Sequence, residues 1–205
     1  MHFNILSDKQ NELLSFISGF RRNYYLVGGT AIALHIGHRR SIDFDLFTDK
    51  KLNKLLIRKR ILEQKLSKQI LFEDIDQMHF LLNDVKITFF NYPYPVKHNE
   101  MVKRFISMPS LLTLSAMKAF ALGRRAKWKD YVDLYFILKD YYSIKDISIE
   151  AKLIFGNLFS EKLFREQMAF HEDIDYSELI EYLPGFEVHE KEIKEYLVNK
   201  SLENI

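Results

Sequence analysis

The chain contains no cysteine among its 205 residues. That absence excludes a disulfide scaffold, a thiolate zinc site and a cysteine nucleophile together, and it fits a reducing compartment. No stretch approaches the roughly 18 uninterrupted apolar residues of a membrane-spanning helix. The opening Met1-His2-Phe3-Asn4-Ile5-Leu6-Ser7-Asp8 lacks the basic start and apolar run of a signal peptide. A cytoplasmic location with no membrane partner is therefore expected. Internal repeats and low-complexity linkers are missing as well. With 47% hydrophobic and 28% charged residues, the chain can bury a sizeable core, which excludes wholesale disorder.

Net charge is also scarce, at +2 overall, but its distribution is uneven. Residues 157–205 hold twelve acidic against five basic side chains, a local −7 that leaves +9 for residues 1–156. Lys50, Lys51, Lys54, Arg58, Lys59, Arg60, Lys65 and Lys68 form a basic run opposed by Glu63 alone. A basic body with an acidic tail region fits one surface that meets a polyanion, or else a solvated helix face.

Hydrophobic periodicity predicts a first helix capped by Ser7 or Asp8, with Leu13, Leu14, Phe16, Ile17 and Phe20 as its stripe. Tyr24 to Val27 reads as a short buried strand stopped by Gly28-Gly29. Thr30 to Ile36 reads as a short helix closed by Gly37. From Ser41 to Phe47 the pattern alternates, with Ile42, Phe44 and Leu46 on one side and Ser41, Asp43 and Asp45 on the other. Leu52 to Ser67 is expected to be a long helix bearing the basic run. Strands are expected at Gln69–Ile75, His79–Leu82 and Val85–Phe90, the last two joined by a tight Asn83-Asp84 turn. Tyr92-Pro93-Tyr94-Pro95 marks the exit from the sheet. Helices follow at Ser110–Leu122, Trp128–Lys139 and near Ile149–Phe155, with acidic helices beyond. The expected architecture is α+β: a small mixed sheet flanked by helices over residues 1–100, then a helical region over 101–205.

Two carboxylates two apart on a strand, Asp43 and Asp45, lie side by side on one face, and leaving both ionised calls for a compensating cation. A hard ion such as Mg²⁺, or Mn²⁺, suits that role because it accepts one or two carboxylates and completes its shell with water and phosphate oxygens. The Gly28-Gly29 turn before a helix lets the backbone approach a ligand, and the N–H groups of that helix start favour phosphate. Together these parts bring a nucleoside triphosphate and its metal to one sheet edge.

Val27-Gly28-Gly29-Thr30-Ala31, followed by His38-Arg39-Arg40-Ser41-Ile42-Asp43-Phe44-Asp45-Leu46-Phe47, resembles the AbiEii/AbiGii toxin family of nucleotidyltransferases, within the DNA polymerase β-like superfamily. The likeness continues through Ala116-Met117-Lys118-Ala119, Arg124-Arg125 and Lys127-Trp128-Lys129-Asp130-Tyr131-Val132-Asp133-Leu134, and spans roughly residues 20–140. It implies a nucleotidyltransferase fold and metal-dependent transfer of a nucleotide from an NTP to an acceptor hydroxyl. Asp43 and Asp45 would hold the metal, Lys118 and Asp130 would join them as catalytic residues, and Gly28, Gly29, Thr30, Arg39 and Ser41 would bind the nucleotide. It further implies a toxin of a toxin–antitoxin or phage-defence pair, acting on RNA at the tRNA acceptor end, with an antitoxin protein or RNA as partner. The basic Lys50–Lys68 run and the Arg124–Lys129 turn fit an RNA backbone footprint.

Alternatives remain open at several positions. Lys118, on an apolar stripe, either snorkels to solvent or offers a point charge to triphosphate oxygens. Asp130 either complements the start of its helix or joins the site. His35 and His38 have a ligand-like spacing but no third partner for zinc. Superfamily members commonly bring a third carboxylate from a neighbouring strand, and here Thr88 occupies the expected polar position. That departure admits a second reading, a catalytically impaired nucleotidyltransferase fold acting as an RNA- or antitoxin-binding module. A third is transfer to a small molecule.

Overall fold

The computed structural model describes residues 1–203 and has an α+β fold. Two compact units divide at Ser110/Leu111, at the start of a helix rather than at residue 100. The first runs α1 (Asp8–Ser18), β1 (Tyr25–Val27), α2 (Gly28–Ile36), β2 (Phe44–Thr48), α3 (Lys54–Glu63), β3 (Lys68–Glu73), β4 (Gln77–Leu82), β5 (Val85–Asn91), β6 (Glu100–Val102) and β7 (Ile106–Met108). β1 to β5 form one sheet in the order β1-β2-β5-β4-β3; β2 and β5 are parallel and the other neighbours antiparallel. Period-two alternation buries Phe44, Leu46, Met78, Phe80, Ile87 and Phe89 on one face. There Phe16 meets Phe80 edge-on and Phe20 meets Phe89. Asp45, Phe47, Thr88, Phe90, Gln77 and His79 take the alternate positions, on the opposite face.

Local chemistry sets the ends of these elements. Ser7 and Gln10 form a reciprocal capping box at the start of α1. Gly37 closes α2 at φ 79°, a left-handed conformation that costs glycine no steric clash. Asn83 and Asp84 both have positive φ, 52° and 63°, as a two-residue turn between antiparallel strands demands. Three sequence expectations are corrected. The basic helix is shorter than Leu52–Ser67: Asn53 caps it by accepting from Leu56 N–H at 3.0 Å, and only Ile57 and Ile61 are buried. The strand expected from Ser41 starts at Phe44, because the Ser41 and Asp43 carbonyls accept from Gln10 and Thr30 side chains. Ile42 is consequently 65% exposed instead of lying with Phe44 and Leu46. The β6–β7 pair was not anticipated at all.

The second unit holds α4 (Leu111–Leu122), α5 (Trp128–Asp140), α6 (Ile144–Phe155), α7 (Glu161–Ala169) and α8 (Glu190–Leu202). A Ser143–Asp146 capping box starts α6 upstream of the expected Ile149. Phe120 of α4 stacks on Phe155 of α6 at 3.8 Å, and Tyr135 of α5 meets Tyr196 of α8 edge-on at 5.0 Å. Between α7 and α8 an irregular acidic segment is strapped to the start of α5. Trp128 N–H donates to the Asp175 carbonyl (3.0 Å), Asp175 N–H donates to the Ala126 carbonyl (2.7 Å), and Glu178 accepts from both Lys127 (2.6 Å) and Lys129.

Partial burial opposes ionisation of Glu178, but hydrogen bonds from the two lysines overcome it and hold the carboxyl down to about 2. The pair therefore stabilises fully above the ordinary value of 4.5, and that contribution is lost as pH falls toward about 2. Solvent reaches 38% of the Glu178 side chain, so screening holds the contribution to about 1 kcal/mol. Glu178→Gln is expected to flatten the loss of stability between pH 4.5 and 2, read by urea unfolding across that range. An unchanged profile would contradict the assignment.

Candidate active site

In the first unit the sequence signature closes into one cluster. Gly28 opens α2 at φ 72°, and a Cβ built on it would overlap the Asp45 carboxylate. A Cβ on Gly29 would lie 2.6 Å from Arg39 Nη2 and 3.2 Å from Ser41 Oγ. Gly28 is thus favoured by its backbone as well as by the nearness of Asp45, whereas at Gly29 a Cβ would meet only the ends of the Arg39 and Ser41 side chains. The N-terminus of α2 follows Val27 and has no side-chain cap, so its orphan N–H groups and positive dipole end are not met by a capping side chain. Arg39 is buried, with its guanidinium beside Gly29 and Nη1 donating to the Arg40 carbonyl at 2.9 Å.

Thr30 and Ser41 secure the loop before β2. The buried Thr30 hydroxyl reaches the Asp43 carbonyl and Ser41 Oγ (2.9 Å), so it braces that loop. Since a hydroxyl has one proton to give, Thr30 donates to Asp43 and accepts from Ser41. That brace sets the backbone from which Asp43 and Asp45 extend.

Asp45 is half-buried yet makes no hydrogen bond or ion pair among the described residues. Asp43 immediately precedes β2 and is half-buried too. No group of three or more ligating side chains gathers among the described residues, so any ion here takes the rest of its shell from elsewhere. The Asp45 carboxylate beside an uncapped helix start, with Asp43 two residues before it in the chain, fits Mg²⁺, which keeps water and phosphate ligands. Thr88 is in register with Asp45 on the adjoining β5, the position from which a third carboxylate would have reached it.

Lys118 and Asp130 lie in the second unit, where the sequence reading of Lys118 is resolved. Its side chain does not snorkel: it is 5% exposed and donates to Asp130 Oδ1 at 2.7 Å and Asp133 Oδ2 at 2.9 Å. Both aspartates are fully buried, and Arg125 Nε reaches the second oxygen of Asp130 at 3.2 Å. Lys118 and Arg125 thus set positive charge against these buried aspartates, as burial requires. Asp133 and Arg125 were not assigned from the sequence, although Asp130 and Asp133 share a helix face by spacing alone.

The expected RNA footprint is partly used internally. In the turn before α5, Lys127 and Lys129 engage Glu178, Arg125 engages Asp130, and Arg124 lies over the Phe120 ring at 3.5 Å. Along α3, Lys54 and Arg58 share Glu73 at 3.4 and 2.7 Å, while Lys51, Lys59 and Lys65 are exposed. His35 Nε2 contacts the Pro109 carbonyl at 3.1 Å and His38 is buried. Trp128 is core, packed against Tyr131 and Tyr176.

Two substitutions test this geometry. Gly28→Ala combines left-handed strain of about 1–2 kcal/mol with displacement of Asp45, whereas Gly185→Ala meets strain alone, at φ 89° with nothing within 4 Å. Denaturant unfolding is expected to show the larger loss at Gly28; equal losses would mean that the approach to Asp45 imposes nothing. Lys118→Met removes the buried cation that Asp130 and Asp133 share and is expected to cost about 3–5 kcal/mol, read by Trp128 fluorescence during urea unfolding. A loss under 1 kcal/mol would show that the cluster does not hold this unit together.

No family model matches the chain. It is 30% identical over 210 residues to the uncharacterized protein aq_aa25 of Aquifex aeolicus, covering 95% of this chain and 98% of that protein. Among solved structures it is similar to MenT4, a nucleotidyltransferase toxin of Mycobacterium tuberculosis, with TM-score 0.62, 13% identity, and 95% of this chain and 80% of that one covered. It is also similar to a Helicobacter pylori protein described as a nucleotidyltransferase, with TM-score 0.59, 16% identity, and coverage of 95% and 94%. The chain belongs to the family of the Aquifex protein, and its fold is the nucleotidyltransferase fold that the resemblance to the AbiEii/AbiGii toxins implied.

Proposed function

We propose that the protein is a metal-dependent nucleotidyltransferase that moves a nucleotide from an NTP to an acceptor hydroxyl on RNA, at the tRNA acceptor end, as the toxin of a toxin–antitoxin or phage-defence pair. Asp45 supports this reading most directly. A half-buried carboxylate with no protein partner, held against an uncapped helix start, places an acceptor for cations beside a binder of anions. A nucleoside triphosphate with a divalent ion satisfies both at once. Asp43 and Asp45 would hold the ion, Mg²⁺ or Mn²⁺, whose chemistry is to neutralise phosphate charge. The N–H groups at the start of α2 and the Arg39 guanidinium bind phosphate oxygens, and the acceptor hydroxyl attacks the α-phosphorus in line as pyrophosphate leaves. Exposed Lys51, Lys59 and Lys65 offer the acceptor RNA its backbone contacts.

Thr88, in place of an acid, favours one competing reading, a binding module without turnover. Purified protein incubated with each labelled triphosphate, Mg²⁺ and bulk tRNA separates the two. Label is expected on RNA with the wild-type chain and not with Asp45→Ala, whose melting curve should stay native. Tight RNA binding without transfer of any label would instead establish the binding module.

A further inference from the structure

Thr88 is more than a missing acid, because it ends a chain of hydrogen bonds whose direction is fixed. Asp45 pairs in register with Thr88 across β2 and β5, and Thr88 pairs with His79 across β5 and β4. The three side chains therefore stand in one row on one face of the sheet. Thr88 is buried, and its hydroxyl lies 3.2 Å from His79 Nδ1. His79 Nε2 lies 2.9 Å from Gln77 Oε1, and Gln77 Nε2 lies 3.0 Å from Asp74 Oδ2. The other Asp74 oxygen accepts from the backbone N–H groups of Asp76 and Gln77, both at 2.9 Å.

An ionised aspartate only accepts, so Gln77 must turn its NH₂ to Asp74 and its carbonyl to His79. That carbonyl in turn requires the proton of His79 on Nε2. Nδ1 is left as a lone pair, and Thr88 donates into it. The Thr88 oxygen is thereby left with its own lone pairs to accept a proton from elsewhere. Burial lowers the pKa of His79 below its ordinary 6.5; Lys86 on β5 adds to this, while Asp45 and Asp74 oppose it. Phe72, the facing residue on β3, brings only a ring edge. The imidazole is therefore neutral at neutral pH.

Resting on the transferase reading above, we propose that Thr88 is the catalytic proton acceptor for the attacking hydroxyl, with His79 as the positioning residue that takes the proton onward. The acceptor O–H proton passes to Thr88 Oγ as the Thr88 proton passes to His79 Nδ1. The acceptor oxygen forms its bond to the α-phosphorus, and the bond to pyrophosphate breaks with its electron pair leaving on pyrophosphate. His79 ends as an imidazolium whose Nε2 proton still meets Gln77 Oε1. The relay does at this position what a carboxylate would do directly.

The test measures transfer rates in variants whose melting curves are native. Thr88→Val keeps the shape and removes the hydroxyl, whereas Thr88→Ser keeps the hydroxyl. Thr88→Val and His79→Ala are each expected to lower kcat by about 10²–10⁴-fold with KM for the triphosphate unchanged. The double variant should be no slower than either single one, and Thr88→Ser should stay near the wild type. Thr88→Asp should restore transfer to His79→Ala, since a carboxylate accepts the proton itself; a merely structural bond would not yield that rescue. Wild-type kcat in His79→Ala, or losses that multiply in the double variant, would overturn the relay while leaving the transferase intact. Nitrogen NMR of His79 gives a readout independent of turnover: a proton on Nε2 is expected, and one on Nδ1 overturns the relay. Failure of the wild-type chain to transfer any label would instead overturn the transferase reading, and the relay with it.

Discussion

The close approach of the Gly28 backbone to the Asp45 carboxylate constrains the first unit more than any other contact. It requires a residue without Cβ where φ is 72°, and it requires β1 and β2 to pair so that Val27 stands opposite Asp45. It also requires the loop between α2 and β2 to deliver Asp45 at the right height. Thr30 and Gln10 secure that loop through the carbonyls of Asp43 and Ser41. A helix start and a carboxylate are held together here without either one satisfying the other by a hydrogen bond.

The acids of this protein divide by how they are satisfied. Asp130 and Asp133 are fully buried and paired with Lys118 and Arg125, so their charge is balanced inside their own unit. Removing one partner of such a set leaves a buried charge less fully offset, and stability suffers. Asp74 sits at an exposed turn and uses the three hydrogen bonds its carboxylate accepts to orient Gln77, which in turn meets His79. The Asp45 side chain alone of these has no protein partner among the described residues.

Charge in the sequence does not translate directly into charge on the surface. The Arg124–Lys129 turn looks like a polyanion footprint, yet its cations meet Glu178, Asp130 and the Phe120 ring. The acidic segment between α7 and α8 supplies Glu178, so part of the −7 of residues 157–205 balances part of the +9 that precedes it. Interaction within a folded unit is favoured because the partners are held close at no further translational cost.

Much was legible in one dimension. The end of β1 at Gly28, the Gly37 stop, the Asn83-Asp84 turn and the alternation of β2, β4 and β5 are local, fixed by φ preferences and period-two burial, although α2 takes in Gly28 and Gly29 where a turn before Thr30 was expected. The place of Asp45 on β2 was legible for the same reason, whereas Asp43, expected on the same strand, lies just before it. What the tertiary structure decided depends on pairings distant in sequence. The β2–β5 and β5–β4 registers put Asp45, Thr88 and His79 in one row. The packing of α4 against α5 buried Lys118 between two aspartates. Thr30 became a brace because a carbonyl thirteen residues away came within reach of its hydroxyl. Residue type and spacing set which groups could act; long-range register and burial set which were satisfied within the protein and which were not.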